Sequence, residues 1–310
     1  PRWFWPSLTA VTLLALLLYG RALQFGFFND DPSGHFALMD RMRLWQYLYD
    51  VGWHGYYRPL SSIMLELPYT LTGQFSRAGY HGMILLLHGG NVFLLGLLAA
   101  RLSRPLAGLA AAAIFAAVPF NYEAVAYVAA IVHPLSTLFT LLALLAYLRR
   151  RLVLTAVALI LGLLSHENGL AIFPLLLALE FLWLDGRWRR VAPYAIAPVV
   201  FAVIWVLVPK AGEAAAPSLA AAWQNGAVFW QTAVFPLLPL IPLNASQIWA
   251  VIAIFAATAA LLGGLAWRNG AIRLWLFALA WIVVTSAPAI IFLRPGYVLG
   301  GPRLTYLPSL

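Results

Sequence analysis

The sequence predicts an all-α, polytopic bundle of about nine to ten membrane-spanning helices. Hydrophobic residues make up 63% of its 310 residues and charged residues only 9%, a composition typical of integral membrane proteins. Apolar runs long enough to cross or nearly cross a bilayer recur along the whole chain. The chain contains no Cys, so no disulfide framework can stabilise a small soluble fold.

Each long apolar run predicts one span. The first run lacks the cleavage pattern of a signal peptide, so we expect it to be retained. A tenth span is predicted to begin near Tyr306. Because the chain starts at Pro1 without Met and stops just as that apolar run begins, we expect a single transmembrane domain truncated at both ends. The nine complete predicted spans are residues 8–23, 83–100, 106–120, 128–148, 152–164, 170–184, 191–208, 248–267 and 272–293.

The connections between these spans fall into two sets by charge. One set holds eleven arginines and two acids, a net charge of +9, whereas the other holds eight basic residues and eight acids, a net charge of zero. The positive-inside rule predicts that the first set is cytoplasmic and the second extracytoplasmic, in a cell inner or plasma membrane. The excess charge is therefore a topology signal, and we expect the lipid bilayer and no nucleic acid as a partner. The arginine-rich set is Arg2, Arg101, Arg104, Arg149, Arg150, Arg151, Arg187, Arg189, Arg190, Arg268 and Arg273.

Three of the predicted spans are short. The span 152–164 has 13 residues, and the spans 106–120 and 170–184 have 15. At 1.5 Å per residue, 15 residues reach about 22 Å, against about 30 Å of hydrocarbon. Polar extracytoplasmic loops border these spans. Irregular backbone at that depth must be covered by protein or line a cavity, so the sequence predicts an outward-facing polar cavity partly within the membrane.

Two longer connections belong to the extracytoplasmic set. Residues 24–80 contain two predicted helices, at 33–49 and 59–71, which are too polar to span and suit the membrane interface. The aromatic residues predicted to form a belt at the membrane interface are Trp45, Tyr47, Tyr49, Trp53, Tyr56 and Tyr57. Residues 211–244 are predicted to form an interfacial helix and an extended Pro-rich stretch, because their prolines disfavour a straight helix and another crossing would reverse the charge pattern.

The stretch FGFFNDDPSGHF, residues 25–36, directly follows the first span. It places two adjacent carboxylates, Asp30 and Asp31, behind three Phe residues in a chain that has ten acids in all. Such a pair beside a bilayer is unfavourable unless it faces water, a metal or a polar ligand. We therefore predict catalytic residues here. No cofactor is indicated with certainty, and Asp30 and Asp31 are the candidates should a divalent metal bind.

Five motifs in order resemble the GT-C superfamily of membrane glycosyltransferases. Its aromatic Asp-Asp opening is similar to FGFFNDD. Its Tyr-Arg-Pro-Leu pattern and the following span with His and Asn resemble YYRPLSSIMLELPYTLTG and YHGMILLLHGGNVFLLGLLAARL. Its third loop and fourth span resemble VPFNYEAVAYVAAIVHPLSTLFTLLALLAYLRR. Its Lys/His-Glu turn resembles SHENGLAIFPLLLALE, and its Arg-Tyr-Leu-Pro-Ser segment resembles GPRLTYLPSL. The resemblance covers essentially the whole chain. It is closest to the bacterial and eukaryotic O-mannosyltransferase-like proteins that often carry tetratricopeptide repeats.

This resemblance implies a reaction and a set of site residues. The reaction is inverting transfer of a sugar from a polyprenyl or dolichyl phosphate to a protein or lipid acceptor on the extracytoplasmic face. Asp30 is implied as the general base that takes the acceptor proton. Cations or hydrogen-bond donors are needed for the departing phosphate. The residues predicted to bind substrate or phosphate are Arg58, Glu123, His133, His166, Glu167, Arg294, Arg303 and Tyr306.

Several of these residues also have a purely structural interpretation. Asp30 or Asp31 could cap the helix predicted to start near Ser33. Arg58 could extend its charged end to the membrane interface, and Glu123 could be a solvated loop acid.

Other interpretations concern the helix ends and the spans. The adjacent His166 and Glu167 could serve only to start the next helix, where Glu is favourable. His88 and Asn91 are predicted to make helix–helix hydrogen bonds. Two guanidiniums in the Gly- and Pro-rich loop RPGYVLGGPR, residues 294–303, suit a phosphate, because Arg binds phosphate oxygens bidentately.

One segment departs from the family pattern. Relatives commonly carry an Arg-Lys-Asp-like cluster after the third-loop Glu, where this chain has IVHPLST, with His133 and Ser136 as polar groups. The alternative function is therefore a non-catalytic polytopic subunit that keeps the fold and packs against other membrane proteins. A transporter would predict broken helices near the membrane midplane, whereas the ionisable residues here collect at one face.

Overall fold

A computed structural model describes residues 1–28, 31, 43–49, 56–208, 218–234 and 241–310. These residues form an all-α, polytopic helix bundle without a β-strand among them, which confirms the predicted fold class. Some predictions fall outside the described residues. They concern Asp30, most of the helix predicted at 33–49, and residues 235–240 of the Pro-rich stretch.

The α-helices and the 3₁₀ helices follow one another along the described chain. The α-helices are α1 Phe4–Leu18, α2 Pro59–Thr72, α3 Arg77–Leu102, α4 Pro105–Ala117, α5 Asn121–Ala126, α6 Val132–Leu148, α7 Leu152–Ser165, α8 Ile172–Trp183, α9 Trp188–Val191, α10 Ile196–Leu207, α11 Leu219–Val234, α12 Ala245–Arg268, α13 Ile272–Phe292 and α14 Pro295–Leu299. The 3₁₀ helices are Gly20–Gln24, Leu44–Leu48, Val128–Ile131, Glu167–Ala171, Ala192–Ala195 and Pro302–Thr305.

Six helical stretches of the described chain are long and apolar enough to cross a membrane. The three predicted short spans correspond to α4, α7 and α8, which have 13, 14 and 12 residues. At 1.5 Å per residue they reach about 18–21 Å, well short of a hydrocarbon core. A turn occupies residues 306–309, where a tenth span was predicted to begin. The six long stretches are Phe4–Gln24, Arg77–Leu102, Val128–Leu148, Trp188–Leu207, Ala245–Arg268 and Ile272–Phe292.

Local capping chemistry explains several helix ends. At the start of α3, the Ser76 hydroxyl accepts a hydrogen bond from the Gly79 N–H at 3.2 Å, which satisfies a free donor of the first turn. Pro59 is the first residue of α2, where a missing N–H costs nothing. Helix α2 ends at Gly73, whose φ of +67° suits glycine. This confirms a helix in the segment predicted at 59–71.

The core of the bundle is built around α6, most of which is buried. Helix α6 packs antiparallel against α7, and α3 and α4 form a second close pair with α1 across them. The α3–α4 pair is tight because a Cβ on Gly108 would lie 2.3 Å from the Gly96 carbonyl oxygen. Small residues at such crossings let backbones approach closely.

In the C-terminal part of the bundle, one side-chain amide links α11 to the end of α13. Helices α11, α12 and α13 pack together. The side-chain amide of Asn225 on α11 donates to the carbonyls of Ala289, Ile290 and Leu293 at 3.4, 3.1 and 2.8 Å. Carbonyls in the last turn of a helix have no partner within the helix. Asn225 therefore fixes the end of α13, from which the loop toward Arg303 begins.

The arginine-rich turns gather at one end of the bundle. The Trp183 indole N–H donates to the Leu102 carbonyl at 3.2 Å, and Arg150 pairs with Asp185 at 3.2 Å. The Tyr147 hydroxyl donates to the buried Glu180 carboxylate at 2.7 Å. Helices α6, α7 and α8 each begin or end in these turns, so their other ends meet at the opposite end of the bundle.

Candidate functional site

A cavity of about 260 Å³ lies at the end of the bundle opposite the arginine-rich turns. Its walls come from the start of α2, the 3₁₀ helix before α6, the α7–α8 turn, the end of α13 and the loop that follows it. Both polar and apolar side chains line the cavity. The polar ones in the described chain are Tyr56, Arg58, Ser61, Ser62, Tyr127, His133, His166, Glu167, Asn168, Tyr297 and Arg303.

An ion pair between Arg58 and Glu167 forms one side of the cavity. Nε of Arg58 donates to Oε2 of Glu167 at 2.8 Å, and Nη2 donates to Oε1 at 2.5 Å. The guanidinium also lies 4.6 Å from the ring centroid of Tyr56. Burial by itself would raise the pKa of Glu167, but the charge of Arg58 outweighs it and holds that pKa well below its usual range. The pKa of Arg58 is raised, because the attraction of Glu167 outweighs burial, so both members of the pair are charged.

The turn that carries Glu167 is held by three contacts. Nδ1 of His166 accepts a hydrogen bond from the Asn168 N–H at 3.0 Å, which caps the 3₁₀ helix. The Ser61 hydroxyl donates to the Ser165 carbonyl at 2.7 Å and ties α2 to the turn. A Cβ on Gly169 would lie 2.5 Å from the carbonyl carbon of Gly162, so only glycine permits this approach of the turn to α7.

His166 is neutral in this environment. Burial is the main cause that lowers its pKa to about 3, and the nearby charge of Arg58 acts in the same direction. Because Nδ1 accepts the Asn168 N–H, the proton of the neutral ring is assigned to Nε2.

A second ion pair, between Arg303 and Glu123, forms another side of the cavity. The Arg303 backbone N–H donates to Oε2 of Glu123 at 2.9 Å, and its guanidinium donates to Oε1. Nη2 donates to the Tyr297 hydroxyl at 3.0 Å. Burial opposes the charge, but Tyr297 and Glu123 outweigh it and raise the pKa of Arg303. Glu123 thus orients Arg303 from behind, since the carboxylate itself is not among the described residues that line the cavity.

His133 lies in the first turn of α6 and lines the cavity. Its side chain is buried, and its ring centroid is 4.9 Å from that of His166. Its Nδ1 has no hydrogen-bond partner among the residues that the structure describes. A buried polar atom without a partner is costly, which marks this ring as a place where a ligand could contribute a hydrogen bond.

Asp31, the second residue of the Asp-Asp motif, is bonded to the cavity wall. Its Oδ1 accepts the Ala129 N–H at 3.0 Å, and its Oδ2 accepts the Phe28 N–H at 3.4 Å. Phe28 also stacks on Tyr127, with ring centroids 5.3 Å apart. Ala129 and Tyr127 both line the cavity. The fully buried carboxylate of Asp31 therefore links this loop to the wall, while Asp30 lies outside the described residues.

Four of the described site candidates do not line the cavity. The side chains of Asp31 and Glu123 bond to its wall, whereas those of Arg294 and Tyr306 do not. Arg294 is exposed at the start of α14. Tyr306 is fully buried among helices, where its hydroxyl is 2.8 Å from Nδ1 of His88 and accepts an Asn91 N–H at 3.2 Å. The Asn91 amide also donates to the Pro134 carbonyl at 2.8 Å. The bond to Pro134 in α6 confirms the predicted helix–helix hydrogen bond of Asn91, whereas His88 bonds to Tyr306 in a turn and not to another helix.

The aromatic walls of the cavity were not predicted. The guanidinium of Arg303 lies 5.3 Å from the ring centroid of Tyr297 and 5.7 Å from that of Tyr127, and Trp205 lines the cavity from α10. Tyr56 was assigned only to the interfacial belt. The adjacency of tyrosines to Arg58 in the sequence was the available signal, since Arg stacks on aromatic faces.

The described residues offer no obvious metal site. None of their His, Asp and Glu side chains forms a group of three or more that could hold a metal ion. Asp30, the other predicted metal candidate besides Asp31, lies outside the described residues.

Comparison with known proteins gives one partial relative. The chain is 34% identical over 189 residues to the protein O-mannosyl-transferase Tmtc1 of Drosophila melanogaster. The similarity covers 57% of this chain and 20% of that protein, so the chain spans about a fifth of the length of the curated relative that it matches. No family model matches the chain. No solved structure matches it significantly.

Proposed function

We propose that this polytopic membrane chain is a glycosyltransferase whose cavity binds a sugar linked to a polyprenyl phosphate. The observation that carries the proposal is the cavity itself, in which Arg58 and Arg303, from opposite ends of the chain, face one space together with two histidines. The similarity to an O-mannosyl-transferase supports sugar transfer, with mannose as the first sugar to test.

The two arginines supply the means to hold the phosphate. A guanidinium binds phosphate oxygens in bidentate fashion and stays charged. Arg58 and Arg303 are each fixed by a carboxylate, Glu167 and Glu123, so their orientation requires no reorganisation when the phosphate departs. Preorganised cations where negative charge develops are a major source of catalysis.

Asp30 is the proposed general base. Both carboxylate oxygens of its neighbour Asp31 already accept backbone N–H groups, which makes Asp31 an anchor. In the proposed reaction Asp30 takes the proton of an acceptor hydroxyl, whose oxygen forms a bond to the anomeric carbon of the sugar. The bond from that carbon to the phosphate oxygen breaks with inversion, and the phosphate keeps the electron pair. The acceptor is a protein or lipid hydroxyl on the extracytoplasmic face.

Arginine-to-lysine variants test this role. Arg58→Lys and Arg303→Lys keep the charge but remove the fork that binds a phosphate. The matched control is Arg294→Lys, because Arg294 is exposed outside the cavity. We expect transfer from polyprenyl-phosphate mannose in detergent to fall about tenfold or more in the two cavity variants and to stay at the parental rate in the control. Equal rates in all three variants would contradict phosphate binding between the arginines.

A non-catalytic subunit is the second candidate. It is favoured by the fact that both cavity arginines already pair with carboxylates, so a phosphate has to compete with them. Under this alternative, the unmutated chain transfers no sugar from any polyprenyl-phosphate donor and is recovered with other membrane proteins instead.

A further inference from the structure

The function proposed above assigns the phosphate to Arg58 and Arg303 and gives no role to the two buried histidines of the cavity. We propose, on the premise of the function proposed above, that His133 and His166 form a subsite that recognises the neutral hydroxyl groups of the sugar and so selects which sugar is transferred. The phosphate would remain with Arg58 and Arg303.

The two rings form one surface in the cavity. Their centroids are 4.9 Å apart with planes tilted by 45°. The residues are only 4% and 5% exposed, yet both line the cavity. They come from different elements, the first turn of α6 and the α7–α8 turn, so neither the helix nor the turn by itself requires a second imidazole beside the first.

The hydrogen-bonding capacity of His166 is half used. Its Nδ1 accepts the Asn168 N–H at 3.0 Å, which leaves the Nε2 proton as a donor on the other side of the ring. On His133, Nδ1 has no partner within the described part of the chain. A sugar hydroxyl both donates and accepts, so it can satisfy either type of group.

The charges around the histidines favour a neutral ligand group. The guanidiniums of Arg58 and Arg303 line the same cavity as the two histidines, and each is matched by one carboxylate. With the phosphate held by these two guanidiniums, a second anionic group at the histidines would find no further cation from these pairs, whereas a hydroxyl needs none. The cavity volume of about 260 Å³ lies just below the usual range for drug-sized ligands, which suits a single sugar.

The structural alternative is that both histidines are ordinary core residues. His88 is an example of a core histidine in this chain, because it is fully buried, bonded to Tyr306 and absent from the described residues that line the cavity. His133 and His166 differ from it in lining a cavity. The two interpretations separate experimentally, because the cap made by His166 and its free donor use different ring nitrogens.

Two substitutions of His166 exploit that separation. Asn can place an oxygen near the position of Nδ1 and is a good cap, so His166→Asn keeps the contact with Asn168 and loses the Nε2 donor. Gln reaches toward the position of Nε2, so His166→Gln keeps a donor there and loses the cap. His88→Asn serves as the control for a buried histidine outside the cavity.

The experiment measures binding by calorimetry in detergent, with polyprenyl phosphate, polyprenyl-phosphate mannose and its single-deoxy analogues. The parent should bind polyprenyl-phosphate mannose about fivefold to tenfold more tightly than at least one of its deoxy analogues. This ratio of affinities is the one that a single hydrogen bond provides. His166→Asn should abolish that ratio at an unchanged melting temperature, and it should leave the affinity for polyprenyl phosphate unchanged. His166→Gln should keep the ratio at a lower melting temperature, and His88→Asn should keep it as well.

Three results would overturn the inference. The first is a parent that binds all sugars and deoxy analogues equally. The second is a His166→Asn variant that still prefers polyprenyl-phosphate mannose over the deoxy analogue as strongly as the parent does. The third is a His166→Asn variant that loses as much affinity for polyprenyl phosphate as it does for polyprenyl-phosphate mannose. A parent that binds neither polyprenyl phosphate nor its mannose derivative would instead overturn the proposed function, and the inference with it.

Discussion

The ion pair between Arg58 and Glu167 forms one side of the cavity. A double-mutant cycle measures the interaction free energy between these two side chains. Arg58→Gln, Glu167→Gln and the double variant remove the charges, and Glu167→Gln also keeps the volume of the side chain. The pair makes two charged hydrogen bonds at 2.8 and 2.5 Å, and its side chains are only 22% and 19% exposed. Hydrogen bonds to charged groups contribute about 1.5–3 kcal/mol each. With a discount for desolvation and partial exposure, we expect a coupling of about 2–4 kcal/mol.

The matched control for this cycle is the pair of Arg150 and Asp185 at the other end of the bundle. Its side chains are 46% and 44% exposed, and exposed pairs contribute about 0.2–1 kcal/mol. The assay is the free energy of unfolding in mixed micelles titrated with a denaturing detergent. A coupling between Arg58 and Glu167 no larger than that of the control pair would refute the argument that the cavity wall is held by this contact.

Three further predictions concern stability. Because burial lowers the pKa of His166 to about 3, against about 6.5 when unfolded, only the unfolded chain gains this proton between pH 6.5 and 5. As the pH is lowered, this group should therefore reduce the free energy of unfolding by up to about 1.4 kcal/mol per pH unit. His166→Asn should reduce the slope of the unfolding free energy against pH, and a slope equal to that of the parent would contradict a neutral, buried His166. Gly169→Ala should cost about 1–3 kcal/mol in thermal unfolding, whereas Gly264→Ala, with nothing within 4 Å of its Cβ, should not destabilise. Asp31→Asn should cost about 1–3 kcal/mol, and an unchanged melting temperature would refute its anchoring role.

The fold was predictable because its signals are local. Continuous apolar runs specify helices regardless of their neighbours, and the short runs predicted at 106–120, 152–164 and 170–184 are short helices in the structure. The alternation of arginine-rich turns with acid-bearing loops likewise matches two opposite ends of the bundle. Which end faces the cytoplasm stays a prediction, because it depends on the membrane rather than on packing.

The site was predictable only in part, because its contacts join distant parts of the chain. Arg294 and Arg303 share one loop and looked equivalent in the sequence, yet only Arg303 faces a buried carboxylate, Glu123. That difference depends on how α13 ends and how the following loop folds back. The aromatic neighbours of Arg303, Tyr127 and Tyr297, were missed for the same reason, since no periodic pattern connects them.

The carboxylate motif shows what a sequence pattern leaves undecided. Two adjacent acids cannot be told apart by spacing, and both capping and catalysis were open for Asp30 and Asp31. The hydrogen bonds of Asp31 to Phe28 and Ala129 assign it an anchoring role, and the bond to Ala129, which is 98 residues away along the chain, has no local sequence signal. The role of Asp30 in catalysis therefore stays a prediction.

Transfer from polyprenyl-phosphate mannose by the parent, Asp30→Asn and Asp31→Asn tests the central claim most directly. Loss of a general base commonly costs about 10²–10⁴-fold in rate. The account predicts that Asp30→Asn loses transfer by this factor while its melting temperature stays near that of the parent, and that Asp31→Asn loses more stability and less activity. Full transfer by Asp30→Asn would contradict its role as the base, and no transfer by the parent from any polyprenyl-phosphate sugar would contradict the claim that the chain is a glycosyltransferase.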